Sequence, residues 1–247
     1  MPPRDTDHSH EPHDIAARLA AGPRVSYLKD VIYGGIDGAV TTFAVVSGVA
    51  GAGLATEIVV ILGMANLVGD GFSMAAGNYL GTRAEGEERE KARRMEERHV
   101  DRYPEGEREE IRQIFAGKGF AGEELEDVVR TITSNRRLWI ETMLTEELGL
   151  PPLQRSPWAA ALATFVAFVV VGLVPLLPFL LAMAIDVPTD AYAWSSALTG
   201  VAFFGVGALK SRFVDRGWLG SGLHALLVGG GAAALAYAVG AALGHLA

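Results

Sequence analysis

Polar and apolar positions along this chain are sorted into long blocks. Five apolar segments stand out, at about 31–55, 58–82, 158–182, 191–210 and 217–245. An α-helix needs ~20 apolar residues to cross a bilayer, so the pattern predicts an all-α, polytopic membrane protein with five transmembrane helices. Only a short turn around "ATE" separates the first two segments, which predicts a transmembrane hairpin. Pro175 and Pro178 predict a kink in the third. Gly34, Gly35 and Gly38 in the first segment, and Gly229, Gly230 and Gly231 in the fifth, mark expected packing seams, because small residues let helices approach closely in lipid.

A polar region, 83–155, separates segments two and three. "RAEGEEREKARRMEERHVDR" reads as a helix running straight out of the second span. Pro104 restarts the chain into "EGEREEIRQIFAGKG", and two more helices follow in "GEELEDVVRTITS" and "RRLWIETMLTEELGL", the last stopped by Pro151 and Pro152. The expected organisation is a disordered His-containing tail at 1–26, spans one and two at 27–82, an inserted helical domain at 83–155, and spans three to five at 156–247.

Charge adds an orientation. Lys and Arg are confined to 4–29, 83–155 and 210–216, with Arg24 and Lys29 before span one and Lys210, Arg212 and Arg216 between spans four and five. With five spans these blocks share one side. The positive-inside rule then places the N-terminus and 83–155 in the cytoplasm and the C-terminus outside. The first 25 residues contain no hydrophobic signal core, so the first span is expected to be retained. Frequent Ala, Gly and Arg fit a bacterial source, which would make the membrane the plasma or inner membrane. The net charge of −8 speaks against nucleic acid as a partner. Cysteine is absent, which excludes disulfides, thiolate metal sites and thiol catalysis. No G-x-x-x-x-G-K-[ST] loop is present, so nothing points to ATP-driven pumping.

Ionisable groups inside a span are costly and mark function. Asp37 and Asp70 are two such groups, and in "ANLVGDGFSMAAGNYLG" Asn66, Asp70 and Met74 recur every fourth residue, on one helix face. At ~1.5 Å per residue, Asp37 and Met74 both lie roughly 12–14 Å in from the basic residues Lys29 and Arg83. A hairpin would set them at one level, with Asp70 and Asn66 continuing a polar column outward. Met74 alone would be ordinary packing, but the column argues for an ion path. A thioether beside carboxylates offers Mg²⁺ and Ca²⁺ little and suits a softer divalent ion such as Fe²⁺, with Mn²⁺, Co²⁺ and Zn²⁺ also compatible.

The soluble region repeats the theme. Glu96 and His99, Glu107 and Glu110, and Met143 and Glu147 (with Glu146 adjacent) share helix faces at i,i+3 or i,i+4 and could converge on cations. Solvated faces with ion pairs such as Glu85–Arg89 or Glu90–Arg94 would carry the same residues. His8, His10 and His13 fit either metal scavenging or a plain tail, and His224 either a proton relay or a helix–helix hydrogen bond.

Four motifs, "DVIYGGIDGAVTTFAVVSGV", "GDGFSMAAGNYLG", "YPEGEREEI" and "WIETMLTEELGL", occur in the order found in the vacuolar iron transporter family. The chain resembles that family from about Tyr27 to its end. The resemblance implies a homodimer with five spans per subunit and a cytoplasmic metal-binding domain on an extended second helix. It implies Fe²⁺ transport out of the cytosol in exchange for protons, with no prosthetic group. Its residue roles would fall on Asp37 and Met74 along the path at the dimer interface and Asp30 at the cytoplasmic entrance. Glu96, Glu107, Glu110, Glu147 and Met143 would be the domain's ligands. Two positions depart from the pattern: His99 stands where characterised eukaryotic members carry Glu, and Asn66 where some carry Glu, with Asp70 one turn away. Two rivals remain. A membrane-tethered di-iron oxidase would use Glu96-x-x-His99 but needs a second such motif, and a sensing or storage protein would bind metal without moving it.

Overall fold

The structure, a computed structural model, describes residues 9–22, 25–151, 155–185, 190–211 and 217–246. His8, Arg24, Pro152, Arg212 and Arg216 lie outside the described residues. Among those described, the regular elements are helices: α1 (Pro12–Ala21), α2 (Leu28–Gly51), α3 (Thr56–Arg102), α4 (Pro104–Gly117) and α5 (Gly122–Thr133). They continue with α6 (Arg136–Glu146), α7 (Pro157–Gly172), α8 (Leu177–Ala184), α9 (Ala191–Lys210) and α10 (Trp218–Leu243). The chain forms two compact units, one of Tyr27–Glu85 with Ser156–Ala247, the other of Met1–Ser26 with Gly86–Arg155.

Among the described residues, five helical stretches are long and apolar enough to cross a membrane: α2, α3, α7 with α8, α9, and α10 with the turn after it. The 47 residues of α3 contain no proline. At ~1.5 Å per residue it extends about 70 Å, more than twice the hydrocarbon thickness of a bilayer. Its second half, from Arg83 on, is too charged to lie within an apolar layer. As expected, the third span is broken: α7 ends at Gly172, Val174–Leu176 form a 3-10 turn, and α8 follows. Pro175 has no N–H to give, and its carbonyl accepts a buried hydrogen bond from Ser195 Oγ at 2.6 Å.

Ala39, Phe43 and Val46 of α2 are buried in the core of this unit, together with Leu67, Phe168 and Phe203. Glycine lets α2 meet its neighbours backbone to backbone. A Cβ at Gly34 or Gly38 would strike the carbonyl oxygens of Thr164 and Phe168 on α7, and one at Gly51 or Gly240 would strike those of Tyr237 and Gly48 across the α2–α10 seam. The expected seam in the fifth span is corrected. Gly229 packs on Phe203, but Gly230 and Gly231 face open space. Consecutive residues lie about 100° apart around a helix, so three adjacent glycines cannot face one neighbour. Outward, Ile61, Val68, Phe72, Leu162, Val170, Leu227 and Leu235 are exposed. Trp158, Trp194 and Trp218 are also exposed, each in the first turn of its helix, where interfacial tryptophans belong.

In the other unit, α1 occupies part of the stretch expected to be disordered; Pro12 at its start and Asp14 in its first turn favour initiation. Leu125, Val129 and Ile132 give α5 one apolar face, which packs with Ile111, Trp139, Met143 and Leu144. Asn135 caps α6 by accepting the Leu138 N–H at 3.1 Å. Of the two ion pairs suggested by spacing, Glu90–Arg94 forms at 3.2 Å. Arg89 instead bonds the Glu141 carboxylate and the Pro151 carbonyl, which offer its fork two acceptors in the interior.

Candidate metal centre

The turn from α3 into α4 brings Glu96 and His99 of one helix against Glu107 of the next. One potential ligand atom from each lies within 4.8 Å of the others, the only such group among the described residues. Spacing explains the arrangement: i,i+3 puts Glu96 and His99 on one face of α3, and Pro104 starts α4 so that Glu107 falls in its first turn. His99 Nδ1 is 3.4 Å from Glu107 Oε1. Glu96 and Glu107 are 1% and 4% exposed, and Oε2 of each is buried with no hydrogen-bond partner. A buried carboxylate oxygen without a donor is costly; a cation would satisfy both, and without one a proton held between Glu96 and Glu107 offsets part of that cost.

Electrostatics agree. Burial, and then the Glu110, Glu96 and Glu147 carboxylates, push Glu107 up to about 8. Burial also raises Glu96, against the opposing influence of His99 and a hydrogen bond with Glu107. Burial raises Glu147, with Glu110 and Glu96 adding to it. Glu110 and Glu147 are thus within electrostatic reach of the core trio. One nitrogen and several carboxylate oxygens suit a divalent transition metal.

The other two expected ligands come from α6. Met143 is fully buried among Ile111, Trp139 and Leu144. Glu146 is ion-paired to Lys118; it adjoins Glu147 in sequence but sits about 100° further round the helix.

In the membrane unit, two hydrogen bonds set the register of the antiparallel pair α2 and α3. Asn66 Nδ2 donates to Thr41 Oγ1 at 3.2 Å, and Asn78 Nδ2 to Asp30 Oδ1 at 2.9 Å. Asp37, four residues before Thr41, is therefore level with Asp70, four after Asn66. Met74 lies one turn nearer Asn78, level with Gly34, which corrects the expected pairing of Asp37 with Met74. Thr41 Oγ1 donates to the Asp37 carbonyl at 2.9 Å. Asp37, Asn66 and Met74 are half-buried and Asp70 is exposed; Met74 also packs against the apolar core.

Asp30 is buried, and Asn78, which holds it, also donates to Thr164 Oγ1 at 2.7 Å and to the Ala160 carbonyl at 3.3 Å. Thr82 Oγ1 donates to Asn78 Oδ1 at 3.4 Å. Sequence reasoning missed Asn78 and Thr82, although they continue the four-residue spacing of Asn66, Asp70 and Met74. Each such step slips about 40° around the helix, so the column winds from an exposed face at Asp70 to a buried one at Thr82. His224 is exposed on α10, and His10 and His13 are exposed near α1.

Residues 28–241 match the VIT family. The chain is 33% identical to a vacuolar iron transporter of Toxoplasma gondii, over 88% of this chain and 74% of that one. It is 31% identical to vacuolar iron transporter 2 of Oryza sativa subsp. japonica, over 87% of each chain. With vacuolar iron transporter 1 of Arabidopsis thaliana it shares 29% identity over 97% of this chain and 92% of the relative.

Proposed function

The chain belongs to the VIT family, and from that premise we propose that it transports Fe²⁺ across a membrane, out of the cytosol, as a homodimer exchanging the ion for protons. Its relatives are named as transporters rather than enzymes. The observation that carries the metal reading is the pair of buried, unpartnered carboxylate oxygens on Glu96 and Glu107 beside His99. In this reading Glu96, His99 and Glu107, with Glu110 and Glu147 around them, collect the ion. Asp37, Asp70 and Asn66 form the polar step inside the membrane, with Met74 one turn towards Asp30 as a soft donor. Mn²⁺ fits the same donors with less help from sulfur, and Co²⁺ and Zn²⁺ accept them as well. Export is supported by the basic blocks, whose bias argues for 83–155 on the cytoplasmic side. Proton exchange is supported by the acids on the route, because a carboxylate must shed its proton to bind metal.

The test is Fe²⁺ flux into liposomes holding the purified protein, with and without an opposing proton gradient. Flux that rises with the gradient is expected. Tight binding with no flux would overturn transport in favour of storage or sensing.

A further inference from the structure

The acidic cluster is framed by arginines that do not enter it. Before Glu96 on α3, Arg89 and Arg93 both grip Glu141 of α6: Arg89 Nη2 donates to Oε2 at 2.6 Å and Arg93 Nη2 donates to Oε1. Arg89 Nε also donates to the Pro151 carbonyl at 2.8 Å, holding the chain just after α6. Past His99, Arg136 Nη2 at the start of α6 reaches both carboxylate oxygens of Asp101, at 2.8 and 2.9 Å, and the Glu97 carbonyl at 3.1 Å. The two helices are therefore tied on either side of the Glu96–His99 pair.

The inner tie is the stiffer one. The Arg89 side chain is 7% exposed and that of Glu141 28%, against 50% and 63% for Arg136 and Asp101. Burial alone would raise the Glu141 carboxyl, but the Arg89 hydrogen bond and the charges of Arg89 and Arg93 hold it below the ordinary value. A charge-assisted bond of this kind is directional as well as strong. Its position matters because α6 ends at Glu146 and is capped by Glu147, six residues beyond Glu141. Glu147 is the cluster acid that α6 supplies, and it faces the like charges of Glu96 and Glu110. That repulsion opposes the seating of α6 against α3, and the Arg89–Glu141 tie works against it.

We propose that Arg89, Glu141 and Arg93 form a positioning clamp that holds Glu147 against the cluster and so sets its affinity and coordination number for a divalent cation. The proposal rests on the reading of Glu96, His99 and Glu107 as a cation site.

Co²⁺ titration of the full chain in nanodiscs tests both, since the visible absorption of bound Co²⁺ reports its coordination number. Glu141→Gln is expected to weaken Co²⁺ binding about tenfold, the lower end of what losing a supporting group costs a metal site, and to change the band shape. Glu147→Gln should do the same, and the double variant should be no worse than either single one, because coupled residues are not additive. Arg93→Met leaves the buried Arg89–Glu141 pair intact and should show a smaller shift in the same direction. Additive losses, or parental binding in either Glu141→Gln or Arg93→Met, would overturn the clamp. Glu96→Gln separates the two ideas: parental Co²⁺ binding in that variant would remove the cation site and the clamp with it, whereas lost binding there beside unchanged binding in Glu141→Gln removes the clamp alone.

Discussion

Asp70 and Met74 lie one helical turn apart, and the register set by Thr41–Asn66 and Asp30–Asn78 gives them different neighbours. Asp37 and Asp70 share a level, so Asp37→Asn and Asp70→Asn should each lower Fe²⁺ flux about tenfold or more, as for other ligand losses. Met74→Leu keeps the packing against the core but removes the sulfur. Fe²⁺ flux should fall more than Mn²⁺ flux, manganese being the harder ion. Equal losses in the liposome assay would make Met74 a matter of shape.

The cluster of Glu96, His99 and Glu107 makes a pH prediction. Glu107 is raised from the ordinary 4.5 to about 8, so between these values the folded state holds a proton that the unfolded chain has lost. Metal-free stability should therefore fall as pH rises across that window. Metal must displace the same proton, so affinity should climb from pH 6 to about 8 and level off above, with proton release on binding. Calorimetry in buffers of different ionisation enthalpy checks this; a flat profile would exclude Glu107 as a ligand. Glu96, His99 and Glu107 were legible in the sequence because i,i+3 spacing and Pro104 determine their faces. The diversion of Glu146 to Lys118 was not legible, because the lysine comes from the end of another helix.

Helix existence was also legible, since long apolar runs and the proline breaks leave little choice. Which glycines touch a neighbour was not, because that depends on the azimuth of each helix. Gly38 and Gly231 make the distinction measurable. A Cβ at Gly38 would run into the Phe168 backbone, where no side chain can rotate away, while one at Gly231 meets nothing. Gly38→Ala should cost about 1–3 kcal/mol, the range for overpacking, and lower the unfolding temperature in detergent. Gly231→Ala should leave it unchanged or slightly raise it, since alanine is the better helix former. Matching melting curves for the two variants would show that the α2–α7 seam has room to relax.

For the whole molecule, the four tryptophans offer a test in lipid. Trp158, Trp194 and Trp218 are exposed at the starts of membrane helices, whereas Trp139 is 4% exposed in the other unit. Lipids brominated near the headgroup should quench the fluorescence of the first three more than lipids brominated near the chain ends, because indole rings settle at the interface. A variant with Trp139 alone should escape both. Stronger quenching by the deep bromines would mean that these helices are placed wrongly across the bilayer. The glycine contacts of α2 carry a consequence for how such a chain can evolve. Where backbone meets backbone there is no layer of side chains to exchange, so neither a larger nor a more flexible residue can be tried at Gly34, Gly38 or Gly240. Lineages adapting to colder, thinner or stiffer membranes must vary elsewhere, at outward positions such as Ile61, Val170 and Leu235. Mutational tolerance in this unit should therefore grow with distance from α2.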